Sequence, residues 1–381
     1  MASYDVAVIG AGVFGTWTAW HLAKRGQRVL LVEAYGAAHS RASSGGESRI
    51  IRTSYGSDEI YTRWALRSLT QWKELFASTG RRLFVPTGVL WLAGQDVAKL
   101  SASRRVLERC GIAHDVLERP ELEARYPQIN FADVQRGVLE TESGVLLARR
   151  AVACVVEDAA RMGAQFEIAQ VAPAATGGTL TVVDASTGEP IHAGQFVFAC
   201  GPWLGKIFPD ILAQRIFPTR QEVFFFGCPS GERQFAPPAL PTWLFQDDEV
   251  YGMPDIESRG LKVARDLHGE RVDPDTHSRL VSKEGAAFAK EYVRRRFPGL
   301  RDAEIVETRV CQYENTSNGD FLLDRHPDMR NIWLAGGGSG HGFKHGPAVG
   351  EYLAGQILGT GEAEARFSFA SKATEQKRAV F

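Results

Sequence analysis

Two features of this chain could do chemistry. One is a thiol: Cys311 lies in "RVCQYENTSNGDFLLDRHP", Arg309 to Pro327, among polar and charged neighbours. A thiolate is a nucleophile, and a nearby cation favours that state. The other is "GAGVFG", whose glycines Gly10, Gly12 and Gly15 follow the apolar run Tyr4 to Ile9. In that spacing Gly10 permits a tight turn, Gly12 lets the backbone approach a pyrophosphate, and Gly15 packs helix on strand. A second apolar run, "RVLLVE", ends at Glu33, near the spacing at which an acid hydrogen-bonds a ribose hydroxyl. The pattern predicts dinucleotide binding, with the helix N-terminus stabilising the anion. NAD and FAD both satisfy it.

These residues need elements to hold them. "TWTAWHLAKRGQ" has helical periodicity, so strand, turn, helix and second strand follow in order. "DEIYTRWALRSLTQWKELFAST" reads as a long amphipathic helix with Trp64, Leu69, Trp72 and Phe76 as core. "LFVPTGVLWLA" reads as a β-pair about Pro86 to Gly88, a helix runs through Leu100 to Cys110, and Gly137 opens another β-rich piece. Further on come the helix "RRAVACVVEDAARMG", the strand "AQFEIAQV", and "QFVFACGPW", a strand ending in a glycine turn. From Thr219 long β segments dominate, interrupted by the helix "GAAFAKEYVRRRF". The last part returns to α/β character, with the strand "NIWLAGG", the glycine turn "GSGHGFKHG" and the helix "PAVGEYLAGQIL", which carries proline in its first turn. A glycine-rich strand-turn-helix near each terminus predicts that both line one extended ligand.

Charge and composition narrow the partners. The 44 lysines and arginines nearly cancel 45 aspartates and glutamates, which argues against nucleic acid or an anionic membrane as partner. Five cysteines without CxxC pairs or a histidine spacing suited to zinc predict neither a disulfide framework nor a metal site. With no leader-like N-terminus and no apolar run of about 18 residues, the expectation is a cytoplasmic protein of roughly two domains.

Three stretches carry a resemblance: "SSGGESRIIRTSYG" (Ser43 to Gly56), "CQYENTSNGDFLLDRHP" (Cys311 to Pro327) and "GGGSGHGFKHGPAVGE" (Gly336 to Glu351). They resemble monomeric sarcosine oxidase and its relatives, flavoenzymes of the D-amino-acid-oxidase superfamily, and the similarity runs essentially end to end. The resemblance implies an α/β, two-domain fold. A Rossmann-like FAD domain would be assembled from about 1–82, 145–218 and 318–381, and a discontinuous β-sheet substrate domain from 83–144 and 219–317. It implies FAD attached covalently through Cys311, with Arg49 of "RIIR" as the neighbouring cation. It also implies oxidation of the secondary amine of a small carboxylate-bearing amino acid, with O2 as acceptor and hydrogen peroxide as product, by a monomer or small homo-oligomer.

Residue by residue, the resemblance implies a catalytic set of Lys262, which would promote the oxygen reaction, Arg49 and Tyr313. Arg52 and Lys344 would grip the substrate carboxylate, with Tyr251 lining the pocket. The cofactor would rest on Gly10, Gly12, Val13, Phe14, Gly15, Glu33, Ser43, Ser44, Arg49, Val171, Gly201, Cys311, Gly338, Gly340, His341, Gly342, Phe343 and Lys344. Two positions depart from the pattern of sarcosine oxidase, with Gly45 and Asp266 where that enzyme has histidines. An acid beside the substrate is expected to favour a cationic group on it, and so a larger amino acid with a basic or sugar-like extension. Competing readings are a dehydrogenase with another electron acceptor, a catalytically silent flavin-holding subunit or sensor, and an NAD-dependent dehydrogenase, which leaves the second glycine turn unexplained.

Overall fold

The computed structural model describes residues 4–95, 97–176 and 179–375, so the outermost parts of the first and last expected FAD segments, 1–3 and 376–381, lie outside the described residues. Two large sheets organise the chain. The first has six strands in the order Leu322–Arg325, Ile332–Gly336, Ala193–Phe198, Tyr4–Ile9, Val29–Glu33 and Gln165–Ile168. The edge strand Leu322–Arg325 is antiparallel and the other five run parallel. Parallel strands covered on both faces read as continuous apolar runs, and "VLLVE" and "IWLAG" are such runs.

Helices Val13–Lys24, Ala148–Arg161 and Gly346–Ile357 build the core on one face of this sheet through Trp17, Val152, Val155, Val349 and Leu353. Phe196, Phe198, Leu204, Phe208 and Leu212 fill the other face. The first and last of these helices touch backbone to backbone, since a Cβ on Gly350 would lie 2.4 Å from the Trp17 carbonyl carbon. Trp72, Leu69 and Phe76 of helix Glu59–Thr79 are buried in the same core, with Trp64 packed against it.

The second sheet has eight strands, ordered Ile305–Thr316, Ile216–Phe226, Leu261–Arg265, Val250–Met253, Thr242–Phe245, Val89–Ala93, Arg136–Glu140 and His114–Glu118. All neighbours are antiparallel except the pair Thr242–Phe245 and Val89–Ala93. Alternation along these strands sends Phe224, Phe226, Trp243, Phe245, Val250, Leu261 and Val263 to one face, where Tyr292 and Val293 of helix Lys283–Arg296 cover them. The opposite face carries Val223, Phe225, Ala264, Cys311 and Tyr251. That face meets the first sheet's glycine turns.

Two readings of the β segments change. Phe84–Val85 and Val89–Ala93 do not pair with each other. Gly88, at φ +69°, redirects the chain so that the first strand joins Gly144–Leu146 in a small sheet with Arg49–Ile51, and the second enters the large sheet. "AQFEIAQV" is likewise divided, because pairing with the parallel sheet ends where the Ala169 N–H donates to the Glu33 carbonyl, and Val171 then starts a separate antiparallel sheet.

Candidate active site

A cavity of about 370 Å³ lies between the parallel sheet and the face of the eight-stranded one that carries Val223, Ala264 and Cys311. Its nucleotide-type end is built from the first glycine turn. Gly10 has φ +105°, and a Cβ there would sit 2.4 Å from the Ala199 carbonyl oxygen, so only glycine fits. Gly15 is held as close, with 1.9 Å from a built Cβ to the Gly10 carbonyl oxygen. Glu33 accepts a hydrogen bond from the Ala11 N–H at 2.8 Å, and burial raises its pKa above the ordinary value. The Val13 N–H donates to Ser44 Oγ at 3.0 Å, which ties the helix N-terminus to the loop carrying "SSGG". Turn, acid and helix N-terminus thus open on one space, as a dinucleotide requires.

The second glycine turn closes the same space. Gly338 and Gly342 approach so closely that a Cβ on Gly342 would lie 2.7 Å from the Gly338 Cα. Across from it, the strand Ile305–Thr316 directs Arg309, Cys311 and Tyr313 to one face by its period of two. Cys311 is buried, and its Sγ lies 3.9 Å from an Arg49 guanidinium nitrogen. Arg49 also donates to the carbonyls of Ser48 (2.9 Å) and Ser43 (2.7 Å), which holds it at the thiol. These residues fit a bound FAD: a glycine cradle that a Cβ would fill, an acid with spare lone pairs, and a thiol beside a fixed cation.

Arg52 and Lys344 are both buried on the cavity wall. The Arg52 guanidinium stacks over Tyr55 (4.4 Å) and Trp91 (4.8 Å) and donates to the Ser54 carbonyl. Lys344 donates to Tyr55 Oη at 2.8 Å and to the His341 carbonyl at 2.9 Å, and Tyr55 Oη lies 2.7 Å from His345 Nε2. Burial, and then the charge of Arg52, hold Lys344 well below the ordinary lysine range. An anion entering here would relieve that cost.

Three buried carboxylates lie in different settings. Glu140 accepts from Thr53 N (2.6 Å), Thr53 Oγ1 (2.7 Å), Ser54 N (2.9 Å), Ser143 Oγ (2.6 Å) and Trp91 Nε1 (2.8 Å). Burial alone would raise its pKa, but these donors hold it below the ordinary value. Glu314 is pushed up to about 8 by burial, against the Gly337 and Gly338 N–H groups, and its Oε1 has no hydrogen-bond partner among the described residues. Asp266 faces the cavity at the end of strand Leu261–Arg265, and burial raises it to about 6 against the pull of Arg52 and Lys344.

Of the residues expected from the sequence to form the site, all but Gly15 and Lys262 line this cavity. Gly15 lies beneath the turn as a packing position. Lys262 is buried and lines a neighbouring cavity of about 410 Å³, and Met253 borders both. Its Nζ donates to Ser48 O (3.0 Å) and Ser48 Oγ (3.3 Å), and burial, then Arg49, push its pKa down to about 7. His341 packs between Tyr61 and Phe321 and bonds Tyr55 Oη at 3.3 Å through Nδ1, so it braces the turn. Sequence reasoning did not single out Tyr55, Glu140, Met253 or Glu314. Tyr55 and Glu314 lie inside the quoted stretches "SSGGESRIIRTSYG" and "CQYENTSNGDFLLDRHP", whereas nothing local distinguishes Glu140 from a surface acid.

Among the described residues no group of three or more His, Cys, Asp or Glu could hold a metal, and no helix is long and apolar enough to cross a membrane. The chain is 31% identical over 377 residues to a monomeric sarcosine oxidase of Bacillus sp. (strain NS-129), covering 95% of this chain and 94% of that protein. It is 29% identical to the N-methyl-L-tryptophan oxidase of Salmonella heidelberg (strain SL476), covering 93% and 95%. The structure of L-proline dehydrogenase from P. horikoshii superposes with a TM-score of 0.85 at 20% identity, over 98% of this chain and 99% of that one, and shows the shared fold. The profile of the DAO family, FAD dependent oxidoreductases, matches residues 5–356, and the chain belongs to that family.

Proposed function

We propose that the protein is an FAD-dependent oxidase of secondary, N-alkyl amino acids, with flavin joined covalently to Cys311. The observation that carries this reading is the buried pair Arg52 and Lys344 in the same cavity as two glycine turns and the Arg49-flanked thiol. Two buried cations on one cavity wall suit an anionic ligand, and arginine's planar fork matches a carboxylate. Likeness to a sarcosine oxidase over most of both chains supports the same substrate class.

FAD, when bound, supplies the two-electron acceptor that oxygen then regenerates with release of hydrogen peroxide. Arg52 and Lys344 bind the carboxylate and thereby orient the carbon next to the amine. Tyr251, Tyr313 and Leu244 wall the cavity and exclude water from the reacting carbon. Loss of a hydride from that carbon of the neutral amine leaves an iminium, which water hydrolyses to aldehyde and amine. Arg49 favours the thiolate of Cys311 for attachment to the cofactor. Lys262 places a cation near the cavity, where it would stabilise negative charge developing on oxygen. We place the enzyme in the cytoplasm, a reading supported by its free cysteines, as a monomer or small homo-oligomer.

Anaerobic mixing of the yellow holoenzyme with a panel of N-alkyl amino acids tests the reading. Bleaching of the flavin absorbance by at least one is expected. A flavin that no such amine bleaches refutes it.

A further inference from the structure

The three buried carboxylates are not equivalent. Glu140 is committed to five donors, and Glu314 lies against the second glycine turn. Asp266 and Glu314 both line the cavity, but Glu314 has the Gly337 and Gly338 N–H groups beside it, whereas the Asp266 carboxylate has no hydrogen-bond partner among the described residues, its backbone N–H being used by the Glu249 carbonyl at 2.7 Å. The residue is 7% exposed. A carboxylate this buried is normally satisfied, so a ligand donor is the missing partner.

The charges around it say which donor. Arg52 and Lys344 stabilise the ionised form most, Lys99 adds to them and Glu249 opposes, while Tyr251 and Tyr313 feel the Asp266 charge from other strands of the same sheet. A substrate carboxylate bound to Arg52 and Lys344 would spend the attraction that now keeps Asp266 ionised, and would add a negative charge close to it. Both effects raise the proton affinity of Asp266 from a starting value of about 6. In an amino acid the ammonium lies one carbon from the carboxylate, so the nearest proton is the substrate's own.

Resting on the function proposed above, we infer that Asp266 docks the substrate's ammonium and accepts its proton on binding, so that the amine becomes neutral before oxidation. The N–H bond breaks with its electron pair left on nitrogen, and an O–H bond forms on Asp266. Loss of this proton from the ammonium and of the carbon's hydride from the resulting amine together take the ammonium to the iminium with two electrons removed, after which Asp266 returns its proton to water. This assigns Asp266 to the amine itself, where the sequence suggests an extension of the substrate.

Two measurements on holoenzyme test this, using wild type and the near-isosteric Asp266→Asn. The first is anaerobic flavin reduction by an N-methyl amino acid from pH 5 to 10. The variant is expected to be slower by about 10²-fold or more at pH 7, the scale of a lost general base. The deficit should shrink as pH approaches the amine's own pKa, because neutral amine is then supplied by solution; a merely structural defect would not recover this way. The second is calorimetry with acetate, a carboxylate without an amine, in buffers of different ionisation enthalpy. Wild type should take up a fraction of a proton per acetate near pH 7, and the variant less, with acetate affinity equal or tighter. Equal reduction rates, a deficit independent of pH, or unchanged proton uptake in the variant would overturn the inference. If no N-alkyl amino acid bleaches wild type, the proposed function falls and takes the inference with it. Bleaching at equal rates in both proteins sinks only the role of Asp266.

Discussion

Glu140→Gln keeps the shape of the side chain and removes its charge, which makes it a sharp test of how the Arg52 loop is held. In the native protein one carboxylate oxygen accepts from Thr53 N, Thr53 Oγ1 and Ser143 Oγ, and the other from Ser54 N and Trp91 Nε1. An amide must present its NH2 to one of these groups. Turned toward Ser54 and Trp91, it faces two donors that cannot accept. Turned the other way, the two hydroxyls can rotate to accept, and only the Thr53 N–H is left facing a donor. The second orientation wins, and its cost is one buried unsatisfied N–H plus the weakening of the other bonds once the acceptor is neutral, together about 2–4 kcal/mol. Because Thr53 and Ser54 follow Arg52 directly, the loss should also loosen the guanidinium and weaken acetate binding by about tenfold. Urea unfolding and acetate titration of the flavin spectrum measure the two effects. Since the folded pKa of Glu140 lies below the ordinary 4.5, its contribution should be complete above that pH and lost as pH falls below it, so the gap between wild type and variant should narrow in acid. A variant with wild-type stability and acetate affinity would refute this account of the loop.

Cys311→Ala should bind FAD that comes away in the supernatant on acid precipitation, whereas the wild-type pellet should stay yellow; a colourless wild-type pellet from flavin-loaded protein removes the covalent bond from the reading. Lys262→Met should slow reaction of the reduced flavin with oxygen by about 10²–10³-fold, the scale of losing one fixed charge stabiliser, and leave flavin reduction within a few-fold. If oxygen reactivity is absent in wild type and turnover with an artificial acceptor survives the substitution, the enzyme is a dehydrogenase. Arg52→Ala should raise KM for the amino acid by about 30-fold to several-thousand-fold, as expected for truncating a buried charge partner at 2–5 kcal/mol; a KM within threefold of wild type would show that the carboxylate binds elsewhere.

The nucleotide end of the site was written locally. "GAGVFG" between an apolar strand and a helix allows little else, because the Gly10 turn and the Gly15 contact involve residues only a few positions apart and tolerate no side chain. Period two on "RVCQY" likewise places Arg309, Cys311 and Tyr313 on one face whatever the sheet packs against. The resemblance pointed to Arg49 beside Cys311, but their separation of 3.9 Å spans 262 residues and depends on the loop before Arg49–Ile51 being tied to the strand Ile305–Thr316 through Ser43, Gly45 and Arg41. The same holds for Glu140, an unremarkable acid in sequence that becomes the anchor of the Arg52 loop from 86 and 87 residues away. Local pattern also set Lys262 and Asp266 on the strand Leu261–Arg265 and at its end, yet it could not say that one would turn to Ser48 beside a second cavity and the other would face the first without a partner. Short-range sterics and alternation are properties of a segment, and so the sequence alone determines them. The protonation and partner of a buried charge depend on every element that removes water from it, and only the assembled fold decides those.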